Sequence, residues 1–79
     1  MANILVAEDE GKINELICKN LQLVGHYTDA AFDGETAFAM IESNEYDLAL
    51  LDVMMPGLSG FEIAQKKRRD VPIIFVTAK

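Results

Sequence analysis

Three short apolar runs, each followed directly by acidic or hydroxyl residues, constrain the fold of this chain more than any other feature. The runs and the polar residues that end them are 4–7 with Glu8-Asp9, 48–51 with Asp52, and 71–76 with Thr77. Apolar runs of this length between polar residues are typical of strands buried on both faces of a parallel sheet. The pattern therefore predicts three strands with reactive side chains at their carboxyl ends.

After the first run, the apolar residues change to helical spacing. The apolar stripe of this predicted helix consists of Ile13, Leu16, Ile17, Leu21 and Val24. Such spacing indicates an amphipathic helix with one face on the core, and Gly25 is a suitable C-terminal stop.

The remaining segments continue an alternation of strands and helices. A weaker strand is predicted over 27–31 and a short helix with the stripe 37–41. Ser59 and Glu62 have the spacing of a capping box, so a third helix is expected to start there and to run to about Arg69. The basic run 66–69 is then the solvated last turn of that helix. This order predicts an α/β fold with a parallel sheet and right-handed crossovers.

The predicted topology brings the polar strand ends together. In open parallel α/β sheets, ligands bind beyond the carboxyl ends of the strands. Carboxylate and hydroxyl groups at that edge suit a divalent metal ion and a phosphoryl group better than a hydrophobic ligand. The sequence therefore predicts a polar, acidic site there.

Composition excludes several classes of protein. The net charge is -6 and the pI is near 4.5, so direct binding of nucleic acid by this chain is not expected. The single cysteine, Cys18, has no disulfide partner and belongs to no zinc-like Cys/His cluster, which fits a reducing cytosol. We expect no membrane span and no signal peptide, since no apolar run is long enough and no basic leader precedes the first run.

Four segments together resemble the receiver domain of bacterial two-component response regulators. They are residues 4–10, 31–34, 46–62 and 72–78, and the resemblance extends over essentially the whole chain. It implies a flavodoxin-like, doubly wound parallel sheet of strand order 2-1-3-4-5. Residues 1–79 would form a partial receiver domain, with about four strands and three helices of that incomplete fold.

The resemblance also implies a role for each residue of the site. Asp52 matches the phosphoacceptor, which takes a phosphoryl group from a sensor histidine kinase, and Thr77 matches the switch hydroxyl that contacts that group. Glu8, Asp9, Asp52 and the backbone carbonyl of Met54 match the ligands of a Mg²⁺ ion. The resemblance implies a cytoplasmic signalling domain rather than an enzyme, with at most phosphotransfer to itself and slow dephosphorylation. The longer protein that contains such a domain often regulates transcription.

Simpler interpretations of these residues stay open. Asp52 can be a strand-end carboxylate that caps backbone donors, and Thr77 can be an ordinary β-branched strand residue. Residues 8–10 can be an acidic cluster favoured by the dipole of the helix that follows.

The family pattern continues beyond Lys79, the last residue of this sequence. The family's fifth strand carries a lysine and an aromatic switch residue that have no match in these 79 residues. We therefore expect a piece truncated after the fourth strand, whose open strand edge and uncovered first helix favour a homo-oligomer.

Two other functions compete with the phosphoacceptor. One is a phosphorylation-incompetent half-domain that serves as a self-associating assembly module. The other, a metal-dependent phosphohydrolase, is disfavoured because such enzymes usually need a second acid two residues after the nucleophile, and position 54 is Met.

Overall fold

The computed structural model describes residues 1–76 and contains a four-stranded parallel sheet with three helices. The elements are β1 Asn3–Ala7, α1 Gly11–Leu23, β2 Tyr27–Ala31, α2 Gly34–Ser43, β3 Leu48–Asp52, α3 Gly60–Lys66 and β4 Ile73–Val76. The strand order is β2-β1-β3-β4, as predicted. No helix within residues 1–76 is long and apolar enough to cross a bilayer.

The sheet separates two apolar cores because side chains alternate between the faces of a strand. Ile4 and Val6 of β1 pack with Cys18 of α1 on one face. Leu5 and Ala7 belong to the other core, which also contains buried residues of α2 and α3. The continuous apolar run of β1 is therefore explained, since both of its faces are covered by helices.

Helix α1 ends as predicted but turns a different set of residues to the core. The N–H groups of Gly25 and His26 donate to the carbonyls of Gln22 and Leu21, and Gly25 has φ +97°, which is the Schellman arrangement. Within the predicted stripe, however, Leu16 is 60% exposed. Val24 is also exposed. The buried residues of α1 are instead Asn14 and Cys18, so the stripe was only partly correct.

Helix α3 begins with the predicted capping box but ends earlier than predicted. The Ser59 hydroxyl accepts the N–H of Glu62 at 3.2 Å, and the Glu62 carboxylate accepts the N–H of Ser59 at 3.0 Å. The helix stops at Lys66 because Lys67 is extended, with φ −62° and ψ 140°.

The early end of α3 comes from contacts with α2. Arg68 donates its N–H to the Glu42 carboxylate, and the Arg69 guanidinium donates to the Glu42 carbonyl, both at 3.1 Å. The prediction that residues 66–69 form a helical turn was therefore wrong beyond Lys66. Two hydrogen bonds to a neighbouring helix hold this segment out of helical geometry.

Two glycines that begin helices offer a matched test of close packing. A Cβ at Gly34 would overlap the backbone of Leu58, whereas a Cβ at Gly11 would meet nothing within 4 Å. We expect Gly34→Ala to lower the free energy of unfolding by about 1–3 kcal/mol. Gly11→Ala should leave stability unchanged or raise it by up to about 1 kcal/mol. Urea unfolding followed by circular dichroism measures both, and equal stabilities of the two variants would contradict the packing described.

Candidate functional site

Three carboxylates meet at the carboxyl edge of the sheet, between β1 and β3. Asp52 is the last residue of β3, and Glu8 and Asp9 follow β1 directly. Parallel pairing of Ala7 with Leu51 brings the next residues of both strands side by side. One oxygen from each of the three carboxylates lies within 4.8 Å of the others. Glu8 is fully buried and Asp52 is 2% exposed, so this is a built pocket rather than a chance cluster on the surface.

Backbone groups hold the two buried carboxylates in place. The Glu10 N–H donates to Glu8 Oε2 at 2.7 Å, and the Met54 N–H donates to Asp52 Oδ1 at 3.2 Å. Each carboxylate is thus fixed by the backbone N–H of the residue two positions after it in the sequence. The capping interpretation of Asp52 is correct as far as this bond, but it does not account for the two other carboxylates beside it.

The loop 53–59, which follows Asp52, is shaped by close backbone packing. Gly57 has φ +79°, the backbone conformation that a turn at Pro56-Gly57 favours. The Gly34 N–H donates to the Pro56 carbonyl at 3.2 Å, which ties the loop to the start of α2. A Cβ at Gly60 would lie 2.6 Å from the Asp52 carbonyl oxygen. The start of α3 therefore lies directly against the end of β3.

The electrostatics of the site favour a cation. Burial raises the pKa of Glu8; the N–H of Glu10 opposes that shift, while contacts with Asp52 and Asp9 and the charge on Asp52 add to it. Three acids at this spacing repel one another when all are ionised. A divalent cation with a preference for oxygen ligands removes that repulsion, and Mg²⁺ has this preference. The donor set therefore fits Mg²⁺.

One side of the site opens to solvent. A shallow hollow of about 520 Å³ lies beside the carboxylates and is lined by Asp9, Val53, Met54, Met55, Pro56 and Ser59. The Met54 side chain is 72% exposed, so it packs no core. The Met54 carbonyl, two residues after Asp52, stays a predicted ligand of Mg²⁺.

Thr77 lies outside the described residues. Val76, the residue before it, pairs with Asp52 across β3 and β4. The switch role of Thr77 stays a prediction from the resemblance.

One buried polar residue of this region was missed from the sequence. Asn14 of α1 is fully buried, and its side-chain amide donates to the carbonyls of Val6, Glu8 and Ala31. The available signal was an Asn four residues before Cys18, among the apolar residues of an amphipathic helix. Helical spacing alone did not show that the buried face passes over the polar strand ends.

Comparison with known proteins agrees with the fold. The model of the response regulator receiver domain family matches residues 4–79. The chain is 40% identical over 96% of its length to the transcriptional regulatory protein TcrA of Mycobacterium tuberculosis, and 42% identical over 96% to RprY of Bacteroides fragilis. It spans only 31% and 34% of those two proteins.

Two solved structures of the response regulator TrrA from Thermotoga maritima are also similar. One, in complex with Mg²⁺ and BeF, is 45% identical with a TM-score of 0.91, and the match covers 100% of this chain and 71% of that one. The other, in complex with the histidine kinase ThkA, is 46% identical with a TM-score of 0.87, covering 99% and 70%.

The chain belongs to the response regulator receiver domain family. It is therefore a receiver domain of two-component signalling, and its curated relatives include transcriptional regulators.

Crowding of the three carboxylates predicts the effect of removing one charge. Asp52→Asn should raise the free energy of unfolding in metal-free buffer, on the order of 1 kcal/mol, because it relieves repulsion on Glu8 and Asp9. The asparagine oxygen can still accept the Met54 N–H. Chemical denaturation in EDTA measures the difference. Asp47→Asn, just before the same strand, is the control and should give no gain; a less stable Asp52→Asn variant would contradict the repulsion.

Proposed function

We propose that Asp52 accepts a phosphoryl group from the phosphohistidine of a sensor histidine kinase, with Mg²⁺ bound beside it. The observation that carries the proposal is the group of three carboxylates within 4.8 Å of one another, at a rim where Asp52 ends β3. Membership of the receiver family supports the phosphoacceptor over the assembly module.

In this proposal Asp52, Met54 and Thr77 each have a part in the phosphoryl transfer. A carboxylate oxygen of Asp52 forms a bond to phosphorus while the bond from phosphorus to the histidine ring nitrogen breaks, and the electron pair of that bond stays on the nitrogen. The Met54 N–H orients the Asp52 carboxylate. In the proposal, Thr77 contributes a hydroxyl to a phosphoryl oxygen of the product.

Glu8, Asp9, Asp52 and the Met54 carbonyl would hold the Mg²⁺ ion, with Glu8 bound directly or through water. When bound, the ion offsets the negative charge of the carboxylates and of the incoming phosphoryl oxygens. The TrrA structure with Mg²⁺ and BeF supports this ligand chemistry, and the TrrA complex with ThkA supports a histidine kinase as partner.

Modification by a small phosphodonor tests the function directly. We expect incubation with acetyl phosphate and Mg²⁺ to add the mass of one phosphoryl group, located on Asp52 by peptide mass spectrometry. Asp52→Asn should abolish the modification, and EDTA should suppress it. The control Asp47→Asn should be modified like the unaltered chain. Labelling that persists in Asp52→Asn would show that the acceptor is another residue.

We further propose that this 79-residue chain self-associates through β4. Strand β4 stands at the edge of the four-stranded sheet, and Ile74 on it is 51% exposed. Phe75 of β4 and Phe61 of α3 form an exposed edge-to-face pair, with ring centroids 4.8 Å apart. An apolar strand edge of this kind favours pairing with another strand.

A charge placed on either edge of the sheet tests the self-association. Ile74→Lys should shift the chain towards monomer in light scattering over a concentration series. Tyr27→Lys is the matched control, because β2 is the opposite edge strand and Tyr27 is similarly exposed. A monomeric unaltered chain, or equal effects of the two variants, would count against association through β4.

A further inference from the structure

Both polar atoms of the Asn14 side chain form hydrogen bonds within the protein. The two N–H groups on its Nδ2 are shared among three acceptors, the carbonyls of Ala31 at 3.0 Å, Glu8 at 3.1 Å and Val6 at 3.2 Å. Its Oδ1 accepts the thiol of Cys18 at 3.3 Å. The residue is fully buried, so these bonds form away from solvent, where loss of a partner is costly.

The three carbonyls lie where β1 and β2 end and the acidic residues begin. The Ala31 carbonyl that accepts from Asn14 also accepts the N–H of Glu8 at 3.0 Å. Both backbone groups of Glu8 are therefore held, its N–H by Ala31 and its carbonyl by Asn14. Since the Glu8 side chain leaves the backbone between these two groups, its direction into the site depends on both.

Packing of α1 against the sheet does not by itself require the hydrogen bonds of Asn14. Ile17 and Leu21 pack α1 against the sheet through apolar contact. Asn14 instead bonds the backbone of the one acid in the site that is fully buried. Groups that hold metal ligands from behind commonly change metal affinity when they are altered.

We propose that Asn14 is a positioning residue that sets the Glu8 carboxylate for Mg²⁺. The proposal rests on the function proposed above. In this proposal Asn14 is not itself a ligand of the ion, and it acts through the backbone of Glu8.

Replacement by an apolar residue of similar shape tests the role. Asn14→Leu should weaken Mg²⁺ binding by the folded chain by about 10-fold or more. The affinity is measured by titration calorimetry, at a temperature where denaturation curves show the variant to be folded. Asn20→Leu is the matched control, since Asn20 lies on the same helix and its amide also donates to a backbone carbonyl, that of Leu16, but is exposed. It should bind Mg²⁺ like the unaltered chain.

Loss of stability is separated from loss of positioning by a second control. Ile41→Val removes one methylene from the core on the opposite face of the sheet and should lower stability without changing the Mg²⁺ affinity of the folded chain. An Asn14→Leu variant that is folded and binds Mg²⁺ within twofold of the unaltered chain would overturn the positioning role, while leaving the proposed function intact. Failure of the unaltered chain to bind Mg²⁺ would overturn both.

A measurement on the unaltered chain covers the case in which Asn14→Leu does not fold. In nuclear magnetic resonance spectra, the side-chain amide of Asn14 should shift together with the backbone amide of Glu8 as Mg²⁺ is added, and along the same saturation curve. The Asn20 side-chain amide should not shift. An Asn14 amide that stays unchanged when the site is saturated would overturn the proposal.

Discussion

The parallel pairing of β1 with β3 is the contact on which the rest of the site depends. It places Ala7 beside Leu51, so that the two strands deliver Glu8 and Asp52 to the same point. No local preference of the chain would bring three carboxylates together, because their charges repel. The apolar burial of both strands holds them there, and the resulting pocket of negative charge is what makes a cation useful.

Neighbouring groups hold the carboxylates in a fixed geometry in spite of this repulsion. The backbone N–H groups of Glu10 and Met54 hold the carboxylates of Glu8 and Asp52. The side chain of Asn14 on α1 holds the Glu8 carbonyl. On the other side, Gly60 lets α3 begin against the carbonyl of Asp52. The close contact at Gly60 leaves no space for a side chain there.

The sequence predicted the elements well where a strong local signal exists. The end of α1 at Gly25 and the capping box at Ser59 were both predicted correctly, because each depends on residues within one turn. The C-terminus of α3 was misplaced since it is set by bonds from Arg68 and Arg69 to Glu42, a residue far away in the chain. The burial of Asn14 was missed for the same reason, because the carbonyls that it binds lie on two strands or directly after one.

The acids of the candidate site were predicted because the pair Glu8-Asp9 and Asp52 each end an apolar run, and strand order then places those ends together. By itself the sequence determined which residues stand at the strand ends, since burial of apolar runs is a property of the pattern along the chain. Only the tertiary structure decided how buried Glu8 is, how its backbone is bonded and which face of α1 meets the sheet. These features depend on contacts between segments that are distant in the chain. The free energies of such contacts cannot be inferred from the local sequence pattern.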